Sequence, residues 1–229
     1  MGLGKTVQVA AFVGSLFAGG RLSGPVLVVC PATVVAQWVR ELQTWHPPLR
    51  CLALHEASPA LRSGAATRAG ILRAASERAA DVVVTTYETL RTASSALGAV
   101  QWGLAVLDEG HRIRNPDAAV SASARSLPTP HRLLLTGSPI QNRLRELWSL
   151  VDWVFPGRLG SLQMFEAQFG APIAADGWSH ATSVVRATAQ QCALVLRDII
   201  SPYLLRRLKR DVNAHLPTKT EQVCQHSGE

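Results

Sequence analysis

Charged side chains are scarce in this chain of 229 residues, of which Asp, Glu, Lys and Arg make up 17%, whereas ordinary globular domains carry about a quarter. The shortage lies with the acids, because 16 Asp and Glu face 23 Lys and Arg and leave a formal net charge of +7. With 47% hydrophobic residues, the composition excludes an intrinsically disordered chain, which combines low hydrophobicity with high charge. The positive balance permits an anionic partner such as nucleic acid without requiring one.

The chain also lacks long apolar runs and clustered cysteines. It contains no uninterrupted stretch of about 18 apolar residues, so we expect no transmembrane helix and no membrane partner. The N-terminus has no basic segment leading into an apolar core, as a secretory signal would. The four cysteines lie far apart, with no Cys-x-x-Cys pair: Cys30, Cys51, Cys192 and Cys224. This spacing argues against a zinc site or a disulfide framework and fits a reducing, intracellular setting.

Short apolar runs alternate with longer amphipathic segments through most of the chain. The runs predict strands at 26–30, 50–55, 82–85, 104–107 and 133–135. The amphipathic segments predict helices at 33–45, 60–79, 88–97, 144–154 and 181–208, the last interrupted at Ser201–Pro202. Near-continuous apolar strands alternating with helices are typical of a mostly parallel sheet covered on both faces. We therefore predict an α/β lobe over residues 1–156 and a helical extension over residues 157–229.

The chain starts with a glycine-rich segment, Gly2-Leu3-Gly4-Lys5-Thr6. This is the end of the P-loop pattern G-x-x-x-x-G-K-[ST], in which backbone N–H groups close around phosphate oxygens. In that pattern the Lys5 ammonium reaches the β- and γ-phosphates of ATP and the Thr6 hydroxyl binds Mg²⁺. The helix that begins there directs its positive end at the phosphates. A glycine-rich helix start without a ligand is the alternative interpretation.

Two adjacent acids, Asp108 and Glu109, directly follow the apolar run 104–107. Ligands of open α/β sheets bind at the carboxyl ends of the strands, so both carboxylates are predicted to lie at a ligand site. There Asp108 suits a Mg²⁺ ligand, and Glu109 suits a base that polarises the attacking water. The alternative, a solvated turn after a strand, is less favoured when a P-loop pattern lies upstream.

Three segments together resemble the signature motifs of one family. The residues at 2–6, 108–111 and 133–142, GLGKT, DEGH and LLLTGSPIQN, look like motifs I, II and III of the Swi/Snf-type ATPases within the superfamily-two helicases. The similarity extends to motif Ia at 28–33 with Trp38, to a family segment at 81–91, and to the helical extension at 147–157 and 202–207. A narrower likeness to the Cockayne syndrome group B branch, which acts in transcription-coupled DNA repair, is visible at 108–116, 155–160 and 165–173.

The resemblance implies a RecA-like P-loop lobe that uses ATP and Mg²⁺. It makes Lys5, Asp108 and Glu109 the catalytic residues and places Thr6 and Asp108 at the metal. Nucleotide binding is assigned to Gly2, Leu3, Gly4, Lys5 and Thr6. Coupling of hydrolysis to the grip on DNA is assigned to His111, Thr136, Gly137, Ser138, Gln141 and Asn142. Ser138 replaces the Thr that is common in the family, but it keeps the hydroxyl.

A further group of residues is predicted to contact double-stranded DNA through its phosphates: Pro31, Thr33, Thr85 and Thr86. Small hydroxyl residues at a strand end, where a helix begins, offer hydroxyl and N–H donors to phosphate. For Thr33 and Thr85, ordinary helix capping is the alternative. By resemblance, RNA polymerase or chromatin are the wider partners and the nucleus is the location.

Two other features have competing interpretations. The basic cluster at 206–210 suits either a DNA-facing patch or a solvated helix end. Several tryptophans lie at helical spacing with aliphatic residues, which favours core packing over base stacking. These are Trp38, Trp45, Trp148 and Trp153.

Members of the family join two RecA-like lobes with ATP between them. We therefore expect a further interior strand of the sheet before Met1, and a second lobe with its arginine finger beyond Glu229. Because such a finger contributes roughly 10³ to 10⁵ in rate, the chain alone is expected to hydrolyse ATP very slowly. The leading hypothesis is the ATP-binding lobe of a DNA-dependent ATPase that translocates on duplex DNA and remodels bound protein, with strand separation as a variant. The alternative is a catalytically inactive fragment that binds DNA or a protein.

Overall fold

Five parallel strands form one sheet in the computed structural model, which describes residues 4–137, 144–175 and 182–207. The strands are β1 (Val26–Cys30), β2 (Cys51–Leu54), β3 (Val82–Thr86), β4 (Leu104–Leu107) and β5 (Arg132–Leu134). Their order across the sheet is β2-β3-β1-β4-β5, and every neighbouring pair is parallel. The predicted α/β fold with a parallel sheet is confirmed.

Alternate residues of β1 enter two separate hydrophobic cores. Leu27 and Val29 pack into the core on one face of the sheet, and Val26, Val28 and Cys30 pack into the core on the other. All five side chains are fully buried, because successive side chains of a strand point to opposite faces and both faces are covered. The continuous apolar run in the sequence therefore reflects burial on both sides of the sheet.

Helices cover both faces of this sheet. The helices of the lobe are α1 (Lys5–Ala18), α2 (Val35–Trp45), α3 (Pro59–Arg62), α4 (Arg68–Ser76), α5 (Tyr87–Thr92), α6 (Ser94–Gly98), α7 (Ala119–Arg125) and α8 (Leu144–Val154). The core on one face is built with α1 and α2, and the core on the other face with α4 to α8. Within the described part of the chain, no helix is long and apolar enough to cross a membrane.

The prediction of one helix over residues 60–79 is wrong. The segment forms two helices, α3 and α4, with Gly64 between them at a left-handed φ of +74°. A left-handed residue does not continue a right-handed helix, and glycine adopts that conformation without strain. The Thr67 hydroxyl then begins α4 by accepting a hydrogen bond from the Gly70 N–H at 3.0 Å. The helix predicted at 88–97 is likewise divided, into α5 and α6.

The segment after α8 has a small core of its own. Its helices are α9 (Leu162–Phe165), α10 (Ala171–Ala175) and α11 (Ser183–Ile200), with a π-helical turn at Glu166–Gly170. Phe165 and Leu196 are buried in this core, against Leu147 of α8. The same helix packs on the sheet through Leu150 and Trp153. Because α8 contributes to both cores, the boundary at residue 156 stays a prediction.

Strand β5 lies at one edge of the sheet, and its three residues are only half-buried. Its described neighbour is β4, the strand that ends at the predicted paired acids. Residues 1–3 lie outside the described part of the chain, so the further strand expected before Met1 stays a prediction.

Candidate nucleotide-binding site

Helix α1 begins where the sequence predicts the phosphate-binding loop. Gly4 precedes it with φ +69° and ψ 29°, a left-handed conformation that glycine adopts without strain. Lys5 and Thr6 occupy the first turn of α1, where free N–H groups and the helix dipole attract anions. Gly2 and Leu3 lie outside the described residues.

Residues from all three predicted motifs meet at the carboxylate of Glu109. The Lys5 ammonium lies 3.6 Å from Glu109 Oε1. On the other oxygen, His111 Nδ1 lies 3.3 Å from Glu109 Oε2, and the Gly137 N–H donates to the same atom at 3.4 Å. The structure thus joins Lys5 of motif I, Glu109 and His111 of motif II, and Gly137 of motif III.

The ammonium of Lys5 is suited to an additional anionic partner. Its Nζ is buried and has no hydrogen bond within the described residues. Its distance of 3.6 Å from Glu109 exceeds the roughly 2.7–2.9 Å of a charge-assisted hydrogen bond. A buried charge is stabilised only when it is paired and hydrogen-bonded. Phosphate oxygens would supply the missing acceptors, so the residues present fit ATP.

Asp108 accepts hydrogen bonds from two aromatic side chains that lie in different layers of the fold. The indole Nε1–H of Trp38 donates to Asp108 Oδ2 at 2.9 Å, and the Tyr87 hydroxyl donates to the Asp108 carbonyl at 2.7 Å. The Glu109 N–H donates to Asp108 Oδ1 at 3.0 Å. With 8% of Asp108 exposed, the carboxylate is held in one orientation at the carboxyl end of β4.

Two neighbours of Asp108, Cys30 and Tyr87, stay neutral at physiological pH. Burial raises the pKa of the Cys30 thiol to about 12, and the negative charge of Asp108 adds to that effect. Burial also raises the pKa of Tyr87 far above its ordinary value, again with a contribution from Asp108. Tyr87 therefore remains a hydrogen-bond donor, and Cys30 adds no negative charge beside the carboxylates of Asp108 and Glu109.

The turn after the paired acids is packed directly on β5. A Cβ added to Gly110 would lie 2.4 Å from the Leu134 Cγ, so any larger residue there requires Leu134 to move. The Gly110 N–H donates to the Leu135 carbonyl at 2.8 Å. This close approach connects the motif II turn to the strand that leads into Thr136 and Gly137.

The described residues fit Mg²⁺ held jointly by protein and phosphates. They contain no group of three or more His, Cys, Asp or Glu that could by itself hold a metal ion. Mg²⁺ in nucleotide sites is bound through one or two protein ligands together with substrate phosphates and water. The single carboxylate of Asp108 and the hydroxyl of Thr6 match that donor set, so we assign the Mg²⁺ site to these two residues as a prediction.

The profile of the SNF2-related domain matches residues 1–227. The chain belongs to this family. The SNF2-related chain is 45% identical over 249 residues to DNA excision repair protein CSB of Oryza sativa subsp. japonica, covering 97% of this chain and 21% of that protein. It is 43% identical over 261 residues to DNA repair and recombination protein RAD26 of Saccharomyces cerevisiae, covering 97% of this chain and 24% of that protein. It therefore spans about a fifth to a quarter of the length of these curated relatives.

A solved structure supports the same family. The Sulfolobus solfataricus SWI2/SNF2 ATPase core in complex with dsDNA aligns with a TM-score of 0.72 and 33% identity, covering 93% of this chain and 39% of that chain. Together with the sequence relatives, this confirms the predicted resemblance to the Swi/Snf-type ATPases, the RecA-like fold and the likeness to the repair branch.

Two of the residues predicted to contact DNA have internal partners in the SNF2-related lobe. Thr85 is fully buried, and its hydroxyl donates to the Leu54 carbonyl at 2.8 Å. Thr86 caps α5 by accepting a hydrogen bond from the Thr89 N–H at 3.1 Å. Helix capping, the alternative given for Thr85, is therefore wrong for that residue and is instead the role of Thr86.

The other two lie at the carboxyl end of β1. Pro31 is half-buried, and Thr33 is exposed in a 3₁₀ turn, Ala32–Val34, that precedes α2. The N-cap of α2 is Val34, so the alternative that Thr33 caps a helix is also wrong. An exposed hydroxyl at this strand end is compatible with the predicted phosphate contact, which stays a prediction.

Ser138, Gln141 and Asn142 lie outside the described residues, as does the basic cluster beyond Arg207. The tryptophan prediction is borne out for the buried Trp38 and Trp153 and is wrong for Trp45, which is 54% exposed. The indole of Trp45 donates to Glu41 at the helix surface.

Sequence reasoning missed the contacts of Trp38 and Tyr87 with Asp108. Both residues stood inside segments that resemble family motifs, but Trp38 was interpreted as core packing alone. The available signal was an aromatic residue with a polar tip on an otherwise apolar helix face, because a buried indole N–H requires an acceptor. The identity of that acceptor depends on the strand order, which the sequence pattern does not state.

Proposed function

We propose that this SNF2-family ATPase lobe is the ATP-binding half of a DNA-dependent translocase that remodels DNA-bound protein complexes in DNA repair or transcription. The observation that carries the proposal is the convergence of Lys5, His111 and Gly137 on Glu109. A protein that only binds DNA or a partner has no chemical need for this arrangement beside a P-loop helix.

The N-terminus of α1 binds the nucleotide in this proposal. Lys5 provides its ammonium to the β- and γ-phosphates, and the free N–H groups after Gly4 bind phosphate oxygens. Thr6 and Asp108 would hold Mg²⁺, which neutralises charge on the β- and γ-phosphates when bound. Asp108 is oriented for this by the hydrogen bonds to Trp38 and Glu109.

Glu109 is the base that accepts a proton from the attacking water. In the described state its Oε1 faces Lys5 and its Oε2 faces His111 and Gly137. Phosphate oxygens compete with Glu109 for the Lys5 ammonium, so nucleotide binding frees Oε1 to accept the proton. Gly137 belongs to motif III and donates to Oε2 of Glu109. A movement of motif III therefore changes the orientation of the Glu109 carboxylate. Thr136, Ser138, Gln141 and Asn142 complete that coupling segment by family resemblance.

DNA is the proposed second ligand, bound through its phosphates at the carboxyl end of β1. Pro31 and Thr33 carry this part of the proposal, because the Thr33 hydroxyl is exposed. A contact by Thr85 or Thr86 requires the hydroxyl to leave its present partner. Such contacts position a protein without reading base sequence. RNA polymerase or chromatin as wider partners, and the nucleus as location, follow from the relatives and belong to this proposal.

The first test is binding of ATP to the chain in the presence of MgCl₂, measured by isothermal titration calorimetry. Lys5→Ala is expected to lower the affinity at least tenfold, because a hydrogen-bonded charge pair of about 1.5–3 kcal/mol is lost. Arg40→Ala is the matched control, since it removes an exposed cation from α2, and it is expected to leave the affinity unchanged. Equal affinity of wild type and Lys5→Ala would remove the P-loop assignment. Absence of ATP binding by the wild type would favour the inactive binding fragment instead.

A further inference from the structure

Asp108 receives hydrogen bonds from both layers of helices at once. Trp38 belongs to α2 and to the core on one face of the sheet, whereas Tyr87 belongs to α5 and to the core on the opposite face. Their donors reach the carboxylate and the carbonyl of Asp108 at 2.9 Å and 2.7 Å. Asp108 is thus held from two sides at the point where β4 ends.

Neither donor can be exchanged for solvent without opening a core. Trp38 is 1% exposed and Tyr87 is 6% exposed. Each Asp108 oxygen accepts one described hydrogen bond, Oδ2 from Trp38 and Oδ1 from the Glu109 N–H. Because a carboxylate oxygen has two lone pairs, each keeps one that can face a cation or a metal-bound water.

We propose that Trp38 and Tyr87 are positioning residues. Each lies in one of the two hydrophobic cores, and their hydrogen bonds hold Asp108 in the orientation that binds the Mg²⁺ of Mg²⁺–ATP. The inference rests on the proposed function, since it assumes that Asp108 is a metal residue. Partners that orient a metal ligand typically change metal affinity by about 10- to 100-fold when they are removed. Trp38 holds the carboxylate itself, so its removal has the larger effect. Tyr87 holds the backbone carbonyl, so its effect is smaller and in the same direction.

The experiment compares ATP affinity of the full chain with EDTA and with MgCl₂, by isothermal titration calorimetry. The ratio of the two affinities measures the contribution of Mg²⁺ alone. Trp38→Phe removes the N–H donor and keeps an aromatic ring, and it is expected to reduce this ratio about tenfold. The affinity in EDTA is expected to remain as in the wild type. A purely structural defect would lower both affinities and leave the ratio unchanged, which would overturn the proposal.

Trp102→Phe is the matched control. Trp102 is also 1% exposed, and its indole donates to the Leu97 carbonyl at 2.9 Å. The substitution therefore removes an equally buried hydrogen bond without touching Asp108, and the Mg²⁺ ratio is expected to equal that of the wild type. A reduction in Trp102→Phe equal to that in Trp38→Phe would overturn the proposal.

Tyr87→Phe removes a single oxygen and provides a second test if Trp38→Phe does not fold. It is expected to lower the ratio of the ATP affinities in MgCl₂ and EDTA severalfold. An unchanged ratio would overturn the role of Tyr87.

A double-mutant cycle tests whether Trp38 acts through Asp108. In the Asp108→Asn background, Trp38→Phe is expected to have no further effect on this ratio, because both changes act on one contact. A wild type that binds ATP with no Mg²⁺ dependence would overturn the proposed function. If the wild type and all variants show the same Mg²⁺ dependence of ATP affinity, only this inference is overturned and the proposed function stands.

Discussion

Glu109 has a left-handed backbone, with φ +52° and ψ 49°, a conformation that few non-glycine residues adopt. Such residues cost of order 1–3 kcal/mol and gather at functional sites, where surrounding contacts hold them. Here the side chain meets Lys5, His111 and Gly137, and the backbone N–H is bonded to Asp108. The contacts of this one residue tie together the predicted P-loop, paired acids and motif III.

We predict that Glu109→Gln separates nucleotide binding from hydrolysis. The amide keeps the size of the side chain but cannot act as a base, and general base catalysis contributes roughly 10²- to 10⁴-fold. Mg²⁺–ATP binding by the chain is expected to persist, because Lys5 loses a competing carboxylate. Hydrolysis is to be measured by phosphate release in a protein that joins this lobe to a second RecA-like lobe, and it is expected to fall by that factor. Loss of binding in proportion to turnover would instead make Glu109 structural or a direct metal ligand.

The candidate site is assembled by helices and turns that begin where strands end. The segment after β1 leads into α2 and Trp38, the segment after β3 begins α5 at Tyr87, and the turn after β4 contains Gly110. In a parallel sheet these ends lie along one edge, which is why ligands bind there. The segments predicted to meet DNA are thus the same segments that supply the donors to Asp108.

The turn after β4 depends on the absence of a side chain at Gly110. We predict that Gly110→Ala destabilises the protein by about 1–3 kcal/mol, the usual cost of overpacking, because its Cβ would lie 2.4 Å from Leu134 Cγ. Gly98→Ala is the control, since a Cβ there meets nothing within 4 Å. Urea unfolding gives both free energies of unfolding. Equal values for the two variants would mean that β5 yields to the added methyl group without cost.

The starts of β2 and β3 are joined by an ion pair between Arg50 and Asp81. The side-chain Nε–H and the backbone N–H of Arg50 both donate to Asp81 Oδ2, at 2.9 Å and 2.8 Å respectively. Burial alone would raise the pKa of Asp81, but the hydrogen bonds and charge of Arg50 outweigh it and hold that pKa below its ordinary value. This contribution to stability is therefore fully present above the ordinary Asp pKa of about 3.9 and is lost as the pH falls through the folded-state value.

We predict that Asp81→Asn is less stable than the wild type at pH 7 and that the difference shrinks as the pH falls below about 4. The protonated Asp81 of the wild type then resembles the amide of the variant. Urea unfolding at a series of pH values measures the difference. Asp198→Asn, which removes an exposed pair with Arg197, is expected to have little effect at any pH. A constant difference for Asp81→Asn across the series would argue against the ion pair as its cause.

The net charge of +7 favours phosphate-rich partners, while the candidate DNA contacts are few. Among the described residues predicted to contact DNA or lying in the basic cluster, the exposed groups are the Thr33 hydroxyl and the guanidinium groups of Arg206 and Arg207. The proposed function places half of the DNA track on a second lobe. A single lobe is therefore expected to bind duplex DNA weakly.

We predict that duplex affinity falls with salt and is nearly independent of base sequence. Each phosphate neutralised by a cation contributes about 0.9 to the slope of log K against log salt, so a slope of about −2 is expected for contacts by Arg206 and Arg207. Fluorescence anisotropy with scrambled duplexes across a salt series measures both properties. Tight binding to one sequence that survives high salt would point to a sequence-specific binding module.

The same anisotropy assay distinguishes the role of Thr33 from that of Thr86. Thr33→Ala is expected to weaken DNA binding without changing the free energy of unfolding, since its hydroxyl is exposed. Thr86→Ala is the control, because it removes the cap of α5 and is expected to cost about 1 kcal/mol of stability with DNA affinity retained. Weaker DNA binding by Thr86→Ala together with unchanged binding by Thr33→Ala would indicate that the DNA contact lies at the end of β3 instead.

The fold class, the strands and the residue types of the candidate site could all be predicted from the sequence. Burial on both faces produces the continuous apolar runs of β1, β3 and β4, and the P-loop and paired acids depend on spacing along the chain, so both can be predicted locally. Three contacts could not be predicted in this way. Trp38, 70 positions before Asp108, donates to its carboxylate, Thr86 caps α5, and Gly110 packs against Leu134. Such contacts follow from the order of strands across the sheet and from the approach of distant segments, and no local pattern encodes either.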